Sequence, residues 1–129
     1  MDLIKRATIV TNSINAFGNG YNYDAKTKFH MDGKKFLKQY ATDILKLDPS
    51  TYEVRSCLGG DAVLGEVILH ADNIYIQICQ PCFDRTVNVM FRTCKNRTDY
   101  TGGSNNWCHL FELCNFNVCD RLHVPFFAH

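Results

Sequence analysis

The chain has 129 residues, of which 46% are hydrophobic and 21% charged, and its formal net charge is +1. This length supports one domain built on a single core. The near-neutral charge disfavours nucleic acid as a partner, because a protein that follows a run of phosphates needs a large excess of cations. No stretch approaches the roughly 18 consecutive apolar residues of a transmembrane helix, so the sequence predicts no membrane association.

The N-terminal sequence MDLIKRATIVTNSINAF lacks the apolar segment and small-residue cleavage site of a secretory signal peptide. The chain contains seven cysteines, an odd number. Without an export signal, we interpret them as reduced thiols, many of them small core residues. The sequence therefore predicts a cytoplasmic protein.

The first thirty residues carry the weakest pattern. LIKRATIV is compatible with a short helix or a strand, and residues 17–30 mix Gly, Asn and Tyr as loops do. We therefore expect residues 1–30 to be extended or interface-forming. Exposure of the aromatic residues Phe17, Tyr21 and Tyr23 would then point to a partner surface.

One helix is clearly indicated after this segment. Asp32 is a favourable N-cap residue, and Asp48-Pro49-Ser50 is a stop signal. Between them a single apolar stripe recurs at helical spacing; it consists of Phe36, Leu37, Tyr40, Ala41, Ile44 and Leu45.

Four strands are predicted next, over 51–57, 61–71, 74–79 and 86–94, separated by turn residues. Ile74, Ile76 and Ile78 alternate with Tyr75 and Gln77, which predicts one apolar and one polar face. Short helices are expected over 105–113 and 117–123. The prediction is a single α+β domain over 1–129, with an antiparallel β-meander packed on one main helix and short C-terminal helices.

The polar face of this sheet leads into the stretch RTCKNRTDYTGGSNNW at 92–107. Arg92 and Asn88 should share a strand face, with Tyr75 and Gln77 on a neighbouring strand and Arg55 on another. Arginines bind phosphates through bidentate hydrogen bonds, and aromatic rings stack on bases. The alternative, a solvated sheet face that ends in a Gly-rich turn, remains open.

The sequence signals for two other kinds of site, a zinc site and a catalytic centre, are weaker. Cys79, Cys82, Cys119 and His123 are an inventory for tetrahedral zinc, but their spacing is not diagnostic, and we predict no metal or other cofactor. Glu66 and His70 share a strand face and are the best acid–base pair, although a structural pair at the sheet edge is favoured. Cys108 and His109 are adjacent, so they cannot simply face each other on a helix. No catalytic centre is predicted.

The segments YEVRSCLGGDAVLGEVILHADNIYIQI and VMFRTCKNRTDYTGGSNNW resemble small proteins of phages and mobile elements. Within that group, the resemblance is to phage anti-Thoeris proteins that sequester cyclic ADP-ribose-type signals. It covers about residues 50–107. It implies a non-enzymatic homo-oligomer in the host cytoplasm that holds a nucleotide signal without cleaving it.

The function expected on this basis is sequestration of a small cyclic nucleotide or cyclic ADP-ribose-type ligand. Arginines would hold its phosphates, Tyr100 or Trp107 would stack, and asparagines would bind the ribose or base. Two alternatives remain, a protein-interaction inhibitor of a host enzyme and a nucleotide-processing enzyme that uses His70 or His109. The predicted ligand-binding residues are Arg55, Asn88, Arg92, Arg97, Tyr100, Asn105, Trp107 and Arg121.

Overall fold

The computed structural model describes residues 2–18, 22–60, 62–71, 74–79 and 88–92. Two α-helices precede four β-strands, with a 3-10 turn at Pro49–Thr51 between the two groups. The elements are α1 (Leu3–Gly18), α2 (Tyr23–Asp43), β1 (Tyr52–Cys57), β2 (Glu66–Ala71), β3 (Tyr75–Cys79) and β4 (Asn88–Arg92).

The strands form one antiparallel sheet in the order β1-β2-β3-β4. Each strand lies inside the range predicted for it from alternation and turn residues. The predicted α+β class and β-meander are therefore confirmed. The predicted helices over 105–113 and 117–123 lie outside the described residues.

The expectation of an extended segment over residues 1–30 is wrong for its described part, because most of that part is helical. α1 begins where the Asp2 carboxylate accepts a hydrogen bond of 2.6 Å from the Ile4 N–H. Phe17, expected to be exposed, is only 2% exposed. Of the other two aromatics, Tyr23 is 56% exposed, as expected, and Tyr21 lies outside the described residues. The buried residues of α1 recur at helical spacing; the apolar ones are Leu3, Ala7, Val10, Ile14 and Phe17.

The main helix begins nine residues before the predicted cap at Asp32, at Tyr23. Its N-cap is Asn22, whose side chain accepts a hydrogen bond of 3.1 Å from the Ala25 N–H. The helix also ends earlier than predicted, at Asp43. Asp48 instead caps the 3-10 turn, accepting from the Ser50 N–H at 2.9 Å.

The core lies between the helices and one face of the sheet, here called the inner face. Both helices and strands β2 and β3 contribute to one buried apolar cluster. Gly33 of α2 lies close to β2, because a Cβ atom at this position would lie 2.7 Å from Val67 Cγ2. The predicted stripe residues Phe36, Leu37, Tyr40 and Ala41 are fully buried here. No helix in the described ranges is long and apolar enough to cross a membrane.

Candidate anion-binding face of the sheet

The sheet face that points away from the helices, here called the outer face, carries most of the ionisable strand residues. Its arrangement follows from the register, because directly opposed residues of antiparallel strands share a face. Three rows cross the sheet from β1 to β4: Glu53–His70–Tyr75–Arg92, Arg55–Ile68–Gln77–Met90 and Cys57–Glu66–Cys79–Asn88.

This register places on one face the strand residues that the sequence predicted to share the polar face. Arg55 and Gln77 lie in one row, on either side of Ile68, and Arg92 is paired with Tyr75. Three strand spacings, roughly 14 Å, separate β1 from β4, and Arg92 lies one row from Arg55 as well. Of the predicted ligand residues, Arg55, Asn88 and Arg92 lie in described strands. Arg97, Tyr100, Asn105, Trp107 and Arg121 lie outside the described residues.

Arg55 is the most unusual residue on this face. Its Nε and Nη2 atoms are buried, and neither has a hydrogen-bond partner in the structure described. A guanidinium is always charged, and burying a charged donor without a partner costs free energy. Unpaired buried groups of this kind are rare in folded proteins, and a bound ion is one of the explanations for them.

Glu66 and Gln77 form a pair beside Arg55. The Gln77 Nε2 donates a hydrogen bond to Glu66 Oε2 and also lies 3.8 Å from Cys79 Sγ. Glu66 pairs with Cys57 in β1, two residues along from Arg55. The Glu66 carboxylate is therefore bonded to the Gln77 amide on β3 rather than to Arg55 on β1.

The centre of the outer face is apolar. Ile68 is fully buried, Tyr75 is 3% exposed, and Cys57 packs against them. The His70 ring packs against the Tyr75 ring at 5.8 Å between centroids, with the ring planes at 69°. The sequence signal for this second cluster is Ile68, an apolar residue between Glu66 and His70 on the outer face of β2.

The suspected acid–base pair of Glu66 and His70 is not a pair in the structure. The two residues share a face but lie four positions apart in β2, which is about 13 Å along a strand. Glu66 bonds to Gln77, and His70 contacts Tyr75. β2 is also an inner strand of the sheet, so the expectation of a structural pair at a sheet edge is wrong as well.

Cys79 is the described member of the zinc candidates, and Cys82, Cys119 and His123 lie outside the described residues. Within the described ranges, no group of three or more His, Cys, Asp or Glu side chains is arranged to hold a metal ion.

A second buried polar group, which the sequence did not reveal, is His30 on α2. Its Nε2 lies 2.8 Å from the Leu64 carbonyl oxygen, while Nδ1 is buried without a hydrogen-bond partner in the described structure. Burial lowers the pKa of His30, the Leu64 hydrogen bond raises it, and nearby Lys26 and Lys34 lower it; the net shift is downward. The loop between β1 and β2 is fixed here, and Lys26 Nζ also donates to the Gly60 carbonyl at 2.9 Å.

The sequence matches no protein-family model, and no curated protein and no solved structure is detectably similar to it. The outer face is therefore the feature from which a function can be inferred.

Proposed function

We propose that the protein binds a small phosphate-bearing nucleotide and holds it without converting it. In this proposal it is a phage anti-defence protein that sequesters a cyclic ADP-ribose-type or cyclic nucleotide signal in the host cytoplasm. One observation supports the proposal above the others: two nitrogens of the half-buried Arg55 side chain, Nε and Nη2, are buried without a hydrogen-bond partner.

An anionic ligand removes the cost of this arrangement. Hydrogen bonds to a charged group contribute about 1.5–3 kcal/mol each when both partners are desolvated. A phosphate supplies both the negative charge and the acceptor oxygens that Arg55 lacks. The free-energy cost of burying the unpaired Arg55 donors is present before the ligand binds, and binding removes it.

The neighbouring residues favour a nucleotide over a simple oxyanion. The His70 ring is partly exposed and is supported by Tyr75, so it offers a fixed surface on which a base can stack. Gln77 lies in the same row as Arg55 and carries an amide suited to a base or ribose. Arg92 and Asn88, the other predicted ligand residues in described strands, lie on β4 in the two rows that flank the row of Arg55.

Sequestration is favoured over turnover by the placement of the titratable groups. Glu66 and His70, the acid–base candidates among the described residues, each contact a different partner, Gln77 and Tyr75, rather than each other. We propose a homo-oligomer, in which Arg97, Tyr100, Asn105, Trp107 and Arg121 contribute to ligand binding.

A second candidate function is inhibition of a host enzyme by direct contact. It is favoured by the exposed large apolar side chains, which cluster in sequence on the first part of α2 and on the β1–β2 loop; they are Tyr23, Met31, Leu58 and Val63. This candidate requires binding to a host protein in the absence of any nucleotide.

The test is thermal melting with cyclic ADP-ribose, ADP-ribose and cyclic dinucleotides. A ligand at about a hundred times its dissociation constant should stabilise the fold by about 2.7 kcal/mol, a shift of several degrees. The shift should disappear in Arg55→Ala and persist in the control Arg6→Ala, which removes an arginine of α1. The bound ligand should be recovered unchanged after heat denaturation; a converted product would establish an enzyme instead. If no nucleotide shifts the melting temperature, the protein-inhibitor candidate takes its place.

A further inference from the structure

The two unpaired nitrogens of Arg55 lie on the same edge of its guanidinium group. Nη2 is the terminal nitrogen on the side of the Nε–H, so the two N–H bonds run nearly parallel in one plane. This edge matches two oxygens of a single phosphate or carboxylate and binds them through paired, charge-assisted hydrogen bonds. A lysine ammonium has no such edge.

A carboxylate that could occupy this edge is already nearby. Arg55 pairs with Ile68, and Glu66 is two residues from Ile68 on the same face, so Glu66 is a diagonal neighbour of Arg55. Long side chains at diagonal positions reach each other. Even so, within the described structure neither Arg55 nitrogen has a hydrogen-bond partner, and the Glu66 carboxylate accepts from Gln77 on β3.

We propose that the Nε–Nη2 edge of Arg55 binds both non-bridging oxygens of one phosphate group, and that Gln77 is a positioning residue that keeps the Glu66 carboxylate away from this edge. Gln77 does so by holding Glu66 on the β3 side. The inference rests on the proposed function only in assigning the phosphate to a nucleotide.

The arrangement makes Gln77 and Arg55 competitors for one carboxylate. When Gln77 is replaced by an apolar residue, Glu66 loses its amide partner, and Arg55 is the cation at the diagonal position on the same face. The resulting ion pair fills the edge that the phosphate requires. Removing the charge of Glu66 eliminates that competitor, so a change at Glu66 should reverse the effect of a change at Gln77.

The experiment combines variants with a direct signal from the arginine. Inorganic phosphate and ADP-ribose are titrated into wild-type protein while the Arg55 Nε–H resonance is followed by NMR, and affinities are measured for the variants by calorimetry. Gln77→Leu should weaken binding at least about tenfold, the factor expected for one lost charge-assisted hydrogen bond. Glu66→Gln combined with Gln77→Leu should restore affinity to within about threefold of wild type.

Arg55→Lys should also lose at least about tenfold, because it keeps the charge but not the paired donors. The matched control is Arg6→Lys, since Arg6 Nε already donates to Gln39 Oε1 at 2.5 Å and should not contribute to binding. Melting of each variant without ligand separates lost binding from lost folding.

The outcomes separate this inference from the proposed function. If phosphate shifts the Arg55 resonance but no nucleotide binds, phosphate binding by the Arg55 edge is supported and the proposed nucleotide function is wrong. If a nucleotide binds without shifting that resonance, the proposed function is supported and the assignment of the phosphate to the Arg55 edge is wrong. If Gln77→Leu weakens binding but the double variant does not recover, Gln77 has only a structural role and its positioning role is overturned.

Discussion

The imidazole of His30 and the carbonyl group of Leu64 are joined by a hydrogen bond of 2.8 Å between Nε2 and the oxygen. A carbonyl oxygen can only accept, so the bond fixes the proton of the neutral ring on Nε2. Nδ1 is then a buried acceptor without a partner in the described structure. Protonating it would create a charged donor with no acceptor, near Lys26 and Lys34.

We predict that the protein loses stability as the pH falls below about 6.5, the ordinary pKa of histidine. The pKa of folded His30 lies below that value, so the unfolded chain takes up the proton first. The His30 contribution is complete above pH 6.5 and is lost as the pH falls toward the folded pKa, by at most about 1.4 kcal/mol per pH unit.

The check is urea unfolding at pH 7.5 and at pH 5.5 for wild type and for His30→Gln. Gln can still donate to the Leu64 carbonyl but does not titrate in this range. The fall in the free energy of unfolding between the two pH values should be smaller in the variant. Equal falls in the two proteins would show that His30 does not carry the effect.

We predict that Gly65→Ala is strongly destabilising and that Gly60→Ala is tolerated. Gly65 has φ 81°, and a Cβ there would lie 2.3 Å from the backbone oxygen of Cys57. Backbone cannot move aside as a side chain can, so the loss should be about 2 kcal/mol or more. At Gly60 no atom lies within 4 Å of the added Cβ, and the change should stay within about 0.5 kcal/mol. Urea unfolding compares the pair, and equal costs would contradict the close approach at Gly65.

The contact between Gly33 and Val67 predicts a coupled pair of substitutions. Gly33→Ala gains up to about 1 kcal/mol of helix propensity, but its Cβ would lie 2.7 Å from Val67 Cγ2. Val67 is fully buried and its branched side chain is stiff, so overpacking at a cost of about 1–3 kcal/mol should prevail.

A double-mutant cycle in urea measures this coupling. In a Val67→Ala background the same Gly33→Ala change should become neutral or stabilising. If its cost is unchanged in that background, the contact between α2 and β2 does not limit the packing.

We predict that replacing Arg55 with an apolar residue stabilises the fold and weakens ligand binding. Replacing it with Met keeps much of the side-chain length and removes a buried charge whose donors are unpaired. Without ligand, Arg55→Met should unfold at higher urea concentration, with a gain of about 1 kcal/mol or more. A loss of stability in this variant would show that the guanidinium is already satisfied in the folded protein, and the proposed phosphate site would be lost with it.

The sheet was predictable because each strand carries its own signal. Alternation in β3 separates the isoleucines from Tyr75 and Gln77, and turn residues bound the strands. The first half of α1 was left open between a helix and a strand because its β-branched residues, such as Ile9 and Val10, also suit a strand. Its signal was the recurrence of apolar residues at 3, 7, 10, 14 and 17.

The start of α2 and the state of Arg55 were harder to predict. Asp32 is a good cap residue, but the apolar stripe continues before it through Ala25 and Phe29, so tertiary burial outweighs the local cap preference. The strand alternation predicted that Arg55 lies on the polar face of the sheet. It gave no indication that Gln77 takes the carboxylate of Glu66, because that depends on the cross-strand register.

The separation of the two sheet faces has an evolutionary consequence. The shared core of helices and sheet lies on the inner face, whereas Glu53, Arg55, Glu66, His70 and Gln77 are on the other. Substitutions at these five positions can accumulate without repacking that core, so recognition can change faster than architecture. A protein that must follow a varying chemical target would benefit from this division, and a library randomised at these positions should remain largely folded while diverging in what it binds.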